Sequence, residues 1–370
     1  MPSDFLAGVS EDLLNQASSE VYPGIKSELT ETSSIPELDV AVTWAVTAAP
    51  VFELDIGTGD IFAMTVECQL DVTPDGGTEV TTPLSASLTC KVSMDGDGIL
   101  EFFIKDILYD TEDEFLDAIL LAKKEAIVSK LDSLLNTIKV PIGPVEGVTF
   151  NGFATEIRNS VLYAAGSLSG DASVDQELTV DSGFGISVSN ELMQSVVENT
   201  WWADSDSTFK KDTLKISLDS YGFDVDDGEL ILSLELSGTL TLDLFLGTAR
   251  WEVIVSPVTV KLEVDIDSDG NVTIESDSIS DVAVVLSPDN FGAGLSSVTA
   301  PFTFTAIGLF IGEALQSQLE EYLDQTVFTV PVIKESFGGI EFSVTTSDLG
   351  IEVNGSQIDI TGSAAVTVGS

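Results

Sequence analysis

The chain has 370 residues, 44% of them hydrophobic, which is enough for one large domain or two ordinary ones with a sizeable core. Its 62 acidic and 14 basic residues give a formal net charge of -48, which repels polyanions and makes nucleic acid and bare anionic membranes poor partners, so no nucleic-acid partner is expected. There is no histidine, so Ser-His-Asp and Cys-His nucleophile systems and HExxH zinc sites are excluded. Carboxylate-only chemistry of the glycosidase kind stays formally open. No paired-acid motif marks such a site, and a non-enzyme is expected.

No run of about 18 or more uncharged apolar residues is present, so no transmembrane segment is expected. The opening MPSDFLAGVSEDLL has neither the basic nor the apolar region of a secretory signal, which points to a cytoplasmic or leaderless secreted protein.

In chain order, VSEDLLNQASSEVY (Val9 to Tyr22) predicts a helix, with Ser10 at the N-cap and Val9, Leu13, Leu14 and Ala17 on its apolar face. From Leu38 to Ile56 most even positions are apolar, and the alternation resumes at Phe62, Met64, Val66, Cys68, Leu70 and Val72. It turns at PDGG and returns through Leu84, Ala86, Leu88, Cys90, Val92 and Met94. Each run therefore buries one face and wets the other. Reflection about that turn brings Cys68 and Cys90 close to opposite, as a disulfide or, more in keeping with the missing signal, as two buried thiols. After the turn MDGDG comes a strand and then a long helix with an apolar stripe at Leu116, Ile119, Leu120, Ile127, Leu131, Leu134 and Leu135, ending before Val140-Pro141.

The same order then recurs. VSNELMQSVVENTW (Val188 to Trp201) aligns without gaps on the first opening helix, with Ser189 at its cap and Val188, Leu192, Met193, Val196 and Val197 on its apolar face. Trp201 and Trp202 are expected to cap the end of a barrel. A leucine ladder follows at Leu230, Leu232, Leu234, Leu236, Leu240, Leu242, Leu244 and Leu246; at 3.3 Å per residue such a strand reaches roughly 50 Å. The turn DIDSDGN and a second long helix through Ile307, Phe310, Ile311, Ala314, Leu315, Leu319, Tyr322 and Leu323 lead to Val330-Pro331. Asp265, Asp267 and Asp269 match the start of an EF-hand-type loop, but position twelve is Ser276 where a glutamate belongs, and the flanks alternate like strands. A hairpin turn is expected there, with weak calcium binding as the alternative, and no other cofactor.

The reading is an α+β, elongated, duplicated fold: residues 1–170 and 185–370 are two helix-and-sheet repeats joined by a linker, 171–184. Each repeat is a long, highly twisted antiparallel sheet wrapped around a long amphipathic helix, and the two are expected to superpose. This order, with its two Val-Ser openings and two helix-to-Val-Pro transitions, resembles the tubular lipid-binding (TULIP) superfamily of the bactericidal/permeability-increasing-protein type, and especially its bacterial neurotoxin-cluster accessory members. The resemblance implies binding or carriage of a lipid or other elongated hydrophobic small molecule. Ile119, Leu120, Ile127, Leu232, Leu234, Leu242, Ile307, Phe310 and Ile311 are the candidate tube lining. The alternative is a structural or toxin-accessory scaffold with protein partners and side-chain-filled tubes.

Overall fold

The structure, a computed structural model, describes residues 3–36, 38–96, 98–111, 113–135, 140–141, 148–174, 178–200, 208–211, 213–226, 229–244, 247–266, 271–289, 311–313, 317, 325–329, 334–337, 340–354 and 357–368. The elements run β1 (Phe5–Ser10), α1 (Glu11–Ile25), β2 (Thr30–Ile35), β3 (Val40–Val46), β4 (Val51–Thr58), β5 (Ile61–Pro74), β6 (Val80–Met94), β7 (Ile99–Asp110), α2 (Glu114–Leu135), β8 (Val140–Pro141), β9 (Gly152–Arg158) and β10 (Val161–Ser167). They continue with β11 (Phe184–Ser189), α3 (Asn190–Thr200), β12 (Thr208–Lys211), β13 (Leu214–Asp226), β14 (Glu229–Leu244), β15 (Gly247–Val255), β16 (Val258–Ile266), β17 (Asn271–Ile279), β18 (Val284–Pro288), β19 (Gln325–Thr329), β20 (Lys334–Phe337), β21 (Ile340–Asn354) and β22 (Gln357–Val368).

The strands form curled antiparallel sheets. One, drawn from the first half, runs β2-β3-β5-β6-β7-β8 with β4 also on β5; a second, from the other half, runs β12-β13-β14-β16-β17-β19, with β15 joining β14 to β18. The third is central and mixes both halves in the order β20-β21-β22-β11-β1-β10-β9. At its middle β1 and β11 pair antiparallel, Phe5 opposite Val188 and Val9 opposite Phe184.

Alternation explains the strands. Phe62, Met64, Val66, Cys68, Leu70 and Val72 of β5 are all buried, as are Leu84, Ala86, Leu88, Cys90 and Val92 of β6, while their odd neighbours face out. The run from Leu38 to Ile56 is interrupted: β3 ends at Val46 and β4 begins after Pro50, whose missing N–H cannot join a ladder. Leu38 lies in the preceding turn and is exposed. The two opening helices start later than the apolar pattern suggests. Val9 and Val188 belong to β1 and β11, and the serines mark the change from strand to helix. Ser10 keeps an extended backbone, and its Oγ accepts the Leu13 N–H at 3.2 Å. Ser189 Oγ accepts the Leu192 N–H at 3.1 Å.

Each outer sheet closes its core against one face of the central sheet. Ile157, Leu162 and Ala164 complete the core of the first-half sheet and α2, while Phe5, Val188 and Ile358 join the core of the other half. The opposite face of the central sheet carries Leu6, Val161, Tyr163 and Ala165. Over it lies the segment that connects the halves, with Val174 and Leu178 buried. Tyr163 donates its hydroxyl to Leu178 O at 2.9 Å and Arg158 Nη1 donates to Val174 O at 3.0 Å. This connecting segment is tied to the sheet as a strap. Among the described residues no helix is long and apolar enough to cross a membrane.

Candidate functional site

Helix α2 starts where Asp113 Oδ1 accepts the N–H groups of Phe115 and Leu116, and Glu114 and Asp117 place further acid in the first turn. Leu116, Ile119, Leu120, Ile127 and Leu131 form its buried stripe. Two successive lysines flank the stripe and reach two different strands of the curled sheet. Lys123 Nζ donates to Ser34 O of β2 at 2.9 Å, while Lys124 Nζ pairs with Asp106 of β7. Asp132 Oδ1 adds a second tie to β7 by accepting the Ile104 N–H at 2.9 Å. The hydrogen bond from Lys124, helped by the Ile107 N–H, holds Asp106 below the usual carboxylate range. Side-chain ties thus fasten α2 to both β2 and β7.

Three predicted lining residues, Ile119, Leu120 and Ile127, meet there. With Glu31 and Ser33 of β2, Val42 and Trp44 of β3, Leu70 of β5, and Lys123 and Ala126 they surround a cavity of about 10 Å³. That is room for about one water molecule and none for an acyl chain.

In the other half Leu232 and Leu234 are buried on β14, in a core shared with Trp251, Val253, Val258, Val260 and Ile311. Ile307 and Phe310 lie outside the described residues, as do Trp201, Trp202 and Val330-Pro331, and the Leu242 side chain is likewise not described. Asp265 sits on β16, its Oδ1 accepting the Ile266 N–H at 2.8 Å, and faces Thr273 across an antiparallel pair. The flanks of this turn are strands. Asp267 and Asp269 lie outside the described residues, and among the described residues no group of three or more Cys, Asp or Glu is placed to hold a metal ion.

No protein-family model and no curated protein matches the sequence. Among solved structures, P47 of Clostridium botulinum E1 superposes with a TM-score of 0.56 at 14% identity, covering 98% of both chains. P47 from Clostridium botulinum A2 gives 0.50 at 13%, covering 98% of this chain and 97% of that one. The fold is P47-like. A lipopolysaccharide binding protein is far more distant, at 0.34 and 13% identity over 98% of this chain and 99% of that one, too remote to inform function.

Within this P47-like fold the cysteines are far apart. Val72 stands opposite Val80, so Cys68 faces Leu84 and Cys90 faces Phe62. Leu84 and Cys90 are six residues apart on β6, about 20 Å of strand. A disulfide needs Cα atoms within about 7 Å, and both thiols are free. The near-opposite placement expected from the sequence fails because the hairpin turns about Gly76, earlier than a reflection of the two cysteines requires. Burial pushes both thiols up to about 12 from 9.0. The folded protein is therefore expected to resist a thiol reagent at pH 8 and to react at both sites once denatured. The same shift costs stability at high pH. Between pH 9 and about 12 unfolded thiols lose protons that folded ones keep, so unfolding becomes easier as pH rises through that window. An alkaline titration of the denaturation midpoint, compared with a Cys68→Ala, Cys90→Ala double variant, reads this directly.

The sequence reading missed the polar face of α1. Glu11 Oε2 accepts the Leu54 and Asp55 N–H groups, and Asn15 exchanges two hydrogen bonds with the Phe52 backbone at 2.7 and 3.0 Å. Ser18 donates to Pro50 O at 2.6 Å and Tyr22 donates to Val46 O at 3.0 Å. Positions 11, 15, 18 and 22 share one side of a helix. They satisfy the backbone along β4 and the end of β3, as a neighbouring strand would. Their helical spacing was the available signal.

Proposed function

We propose that this chain is a non-enzymatic binding protein of the tubular lipid-binding type, taking a lipid or other elongated hydrophobe by burial alone. The observation that supports the reading is the buried apolar stripe of α2, with adjacent lysines tied to β2 and β7 of one curled sheet. Such a sheet wrapped about a helix is an apolar tube. A chain entering it gains about 25 cal/mol for each Å² removed from water, with no chemistry required. The P47-like fold and the absence of histidine support the same reading.

A second reading, a structural or toxin-accessory scaffold whose tube is filled by its own side chains, is favoured by one observation: the cavity beside α2 is only about 10 Å³. Ile127→Trp separates the two. On the binding reading the larger ring occupies the path and abolishes uptake of a fluorescent long-chain probe, while stability falls by about 1–3 kcal/mol. A parent protein that takes up no probe, or a folded variant that takes it up equally well, favours the scaffold.

A further inference from the structure

Helix α2 is apolar on both sides, and the described residues cover only one of them. Inward, its stripe from Leu116 to Leu131 is buried. Outward, Phe115 is 48% exposed and Leu121 is 74% exposed, and Ala118 and Ala122 are exposed with them. Positions 115, 118 and 122 make one row along the helix, and 114, 117, 121 and 125 make the next. Leu121 therefore sits beside the apolar row, inside a row that is otherwise Glu114, Asp117 and Glu125, all three exposed. Apolar residues scattered singly over a surface need no explanation, but a contiguous apolar patch rimmed by charge marks an interaction site, and a helix that is apolar all round is ordinarily covered all round. Charge selects what covers this one. The two lysines between Glu114 and Glu125 are turned off the outward face, Lys123 donating to Ser34 O of β2 and Lys124 pairing with Asp106 of β7. The carboxylates that stay beside the apolar row belong to a chain of formal net charge -48. A second copy would set one acid row and one strongly negative chain against another, and an anionic membrane is repelled for the same reason.

We propose that the outward face of α2, from Phe115 to Glu125, is a docking surface for a protein partner that presents an amphipathic helix with lysine or arginine along one flank of its apolar side. Phe115 and Leu121 are the anchors of this surface, and the alanines between them leave room for the partner's side chains. The acid row pairs with the basic flank and fixes the partner's orientation. This face lies opposite the buried stripe, so the partner docks whether the tube takes a ligand or is filled by side chains, and the inference goes beyond both readings above.

A synthetic leucine and lysine peptide of about 18 residues, with its leucines on one helical face, tests it by fluorescence anisotropy against the full chain. A scrambled peptide of the same composition measures attraction by charge alone. The amphipathic peptide is expected to bind about tenfold more tightly than the scrambled one, and to lose about tenfold in a Phe115→Ala, Leu121→Ala double variant. Leu108→Ala, at a 63% exposed position of β7, should bind as the parent does. Both substitutions in the double variant are at exposed helical positions and keep the helix, so a loss of binding is not a loss of fold. Equal affinity for the two peptides, or equal affinity of the parent and the double variant for the amphipathic one, overturns the proposal. Self-association of the parent in sedimentation, or its flotation with phosphatidylcholine vesicles, that the double variant abolishes would assign the face to a second copy or to a membrane surface and overturn it as well.

Discussion

Replacing Gly152 with alanine is expected to destabilise the protein by more than about 3 kcal/mol, because the new methyl has nowhere to go. A Cβ built at Gly152 falls 1.8 Å from the Gly170 carbonyl oxygen and 2.5 Å from its carbon. Backbone, not a flexible side chain, blocks it. Gly152 opens β9 opposite Ser167, and Gly170 stands where the strap leaves the central sheet, so relief would mean moving either the sheet edge or the strap. Gly96, which has open space around its Cβ position, serves as the control, and its alanine variant should stay within about 1 kcal/mol of the parent. Urea midpoints of the two variants decide the matter. Equal midpoints would mean that the strap does not lie against β9.

Ile119→Ala is the second large effect, at about 2–5 kcal/mol. Ile119 is 0% exposed on the inward face of α2, whereas Leu121, two residues on, is 74% exposed. Leu121→Ala should therefore cost less than about 0.5 kcal/mol. The contrast between neighbours of similar size isolates burial from helix propensity, since alanine favours the helix at both positions. Equal losses at the two sites would place the inward face of α2 elsewhere.

Much of the secondary structure was legible because it is local. The even-position alternation of β5 and β6, the capping serines Ser10 and Ser189, and the α2 stripe are each encoded within one or two turns or strands of sequence. Sheet membership was not legible. β1 pairs with β10 and β11, partners roughly 160 and 180 residues away, and nothing in Phe5 to Ser10 specifies either. Register across a hairpin is similarly fragile. Moving the turn centre by a few residues moves the facing position by twice as many, which is how Cys68 came to face Leu84 and not Cys90. The packing of the linker was not legible because residues 170–183 are mostly polar, and only Val174, Leu178 and Val180 show that it packs. At the candidate site, Ile119, Leu120 and Ile127 were legible from helical spacing. Trp44, which lines the same cavity, was not, because an aromatic on an apolar strand face reads as core.

The most direct measurement of the central claim is native mass spectrometry of the intact chain equilibrated with a long-chain lipid mixture, before and after organic extraction. Binding by burial predicts an added mass on the folded protein that extraction removes and re-addition restores. A spectrum that shows the bare chain mass under all three conditions would contradict it and leave the side-chain-filled scaffold.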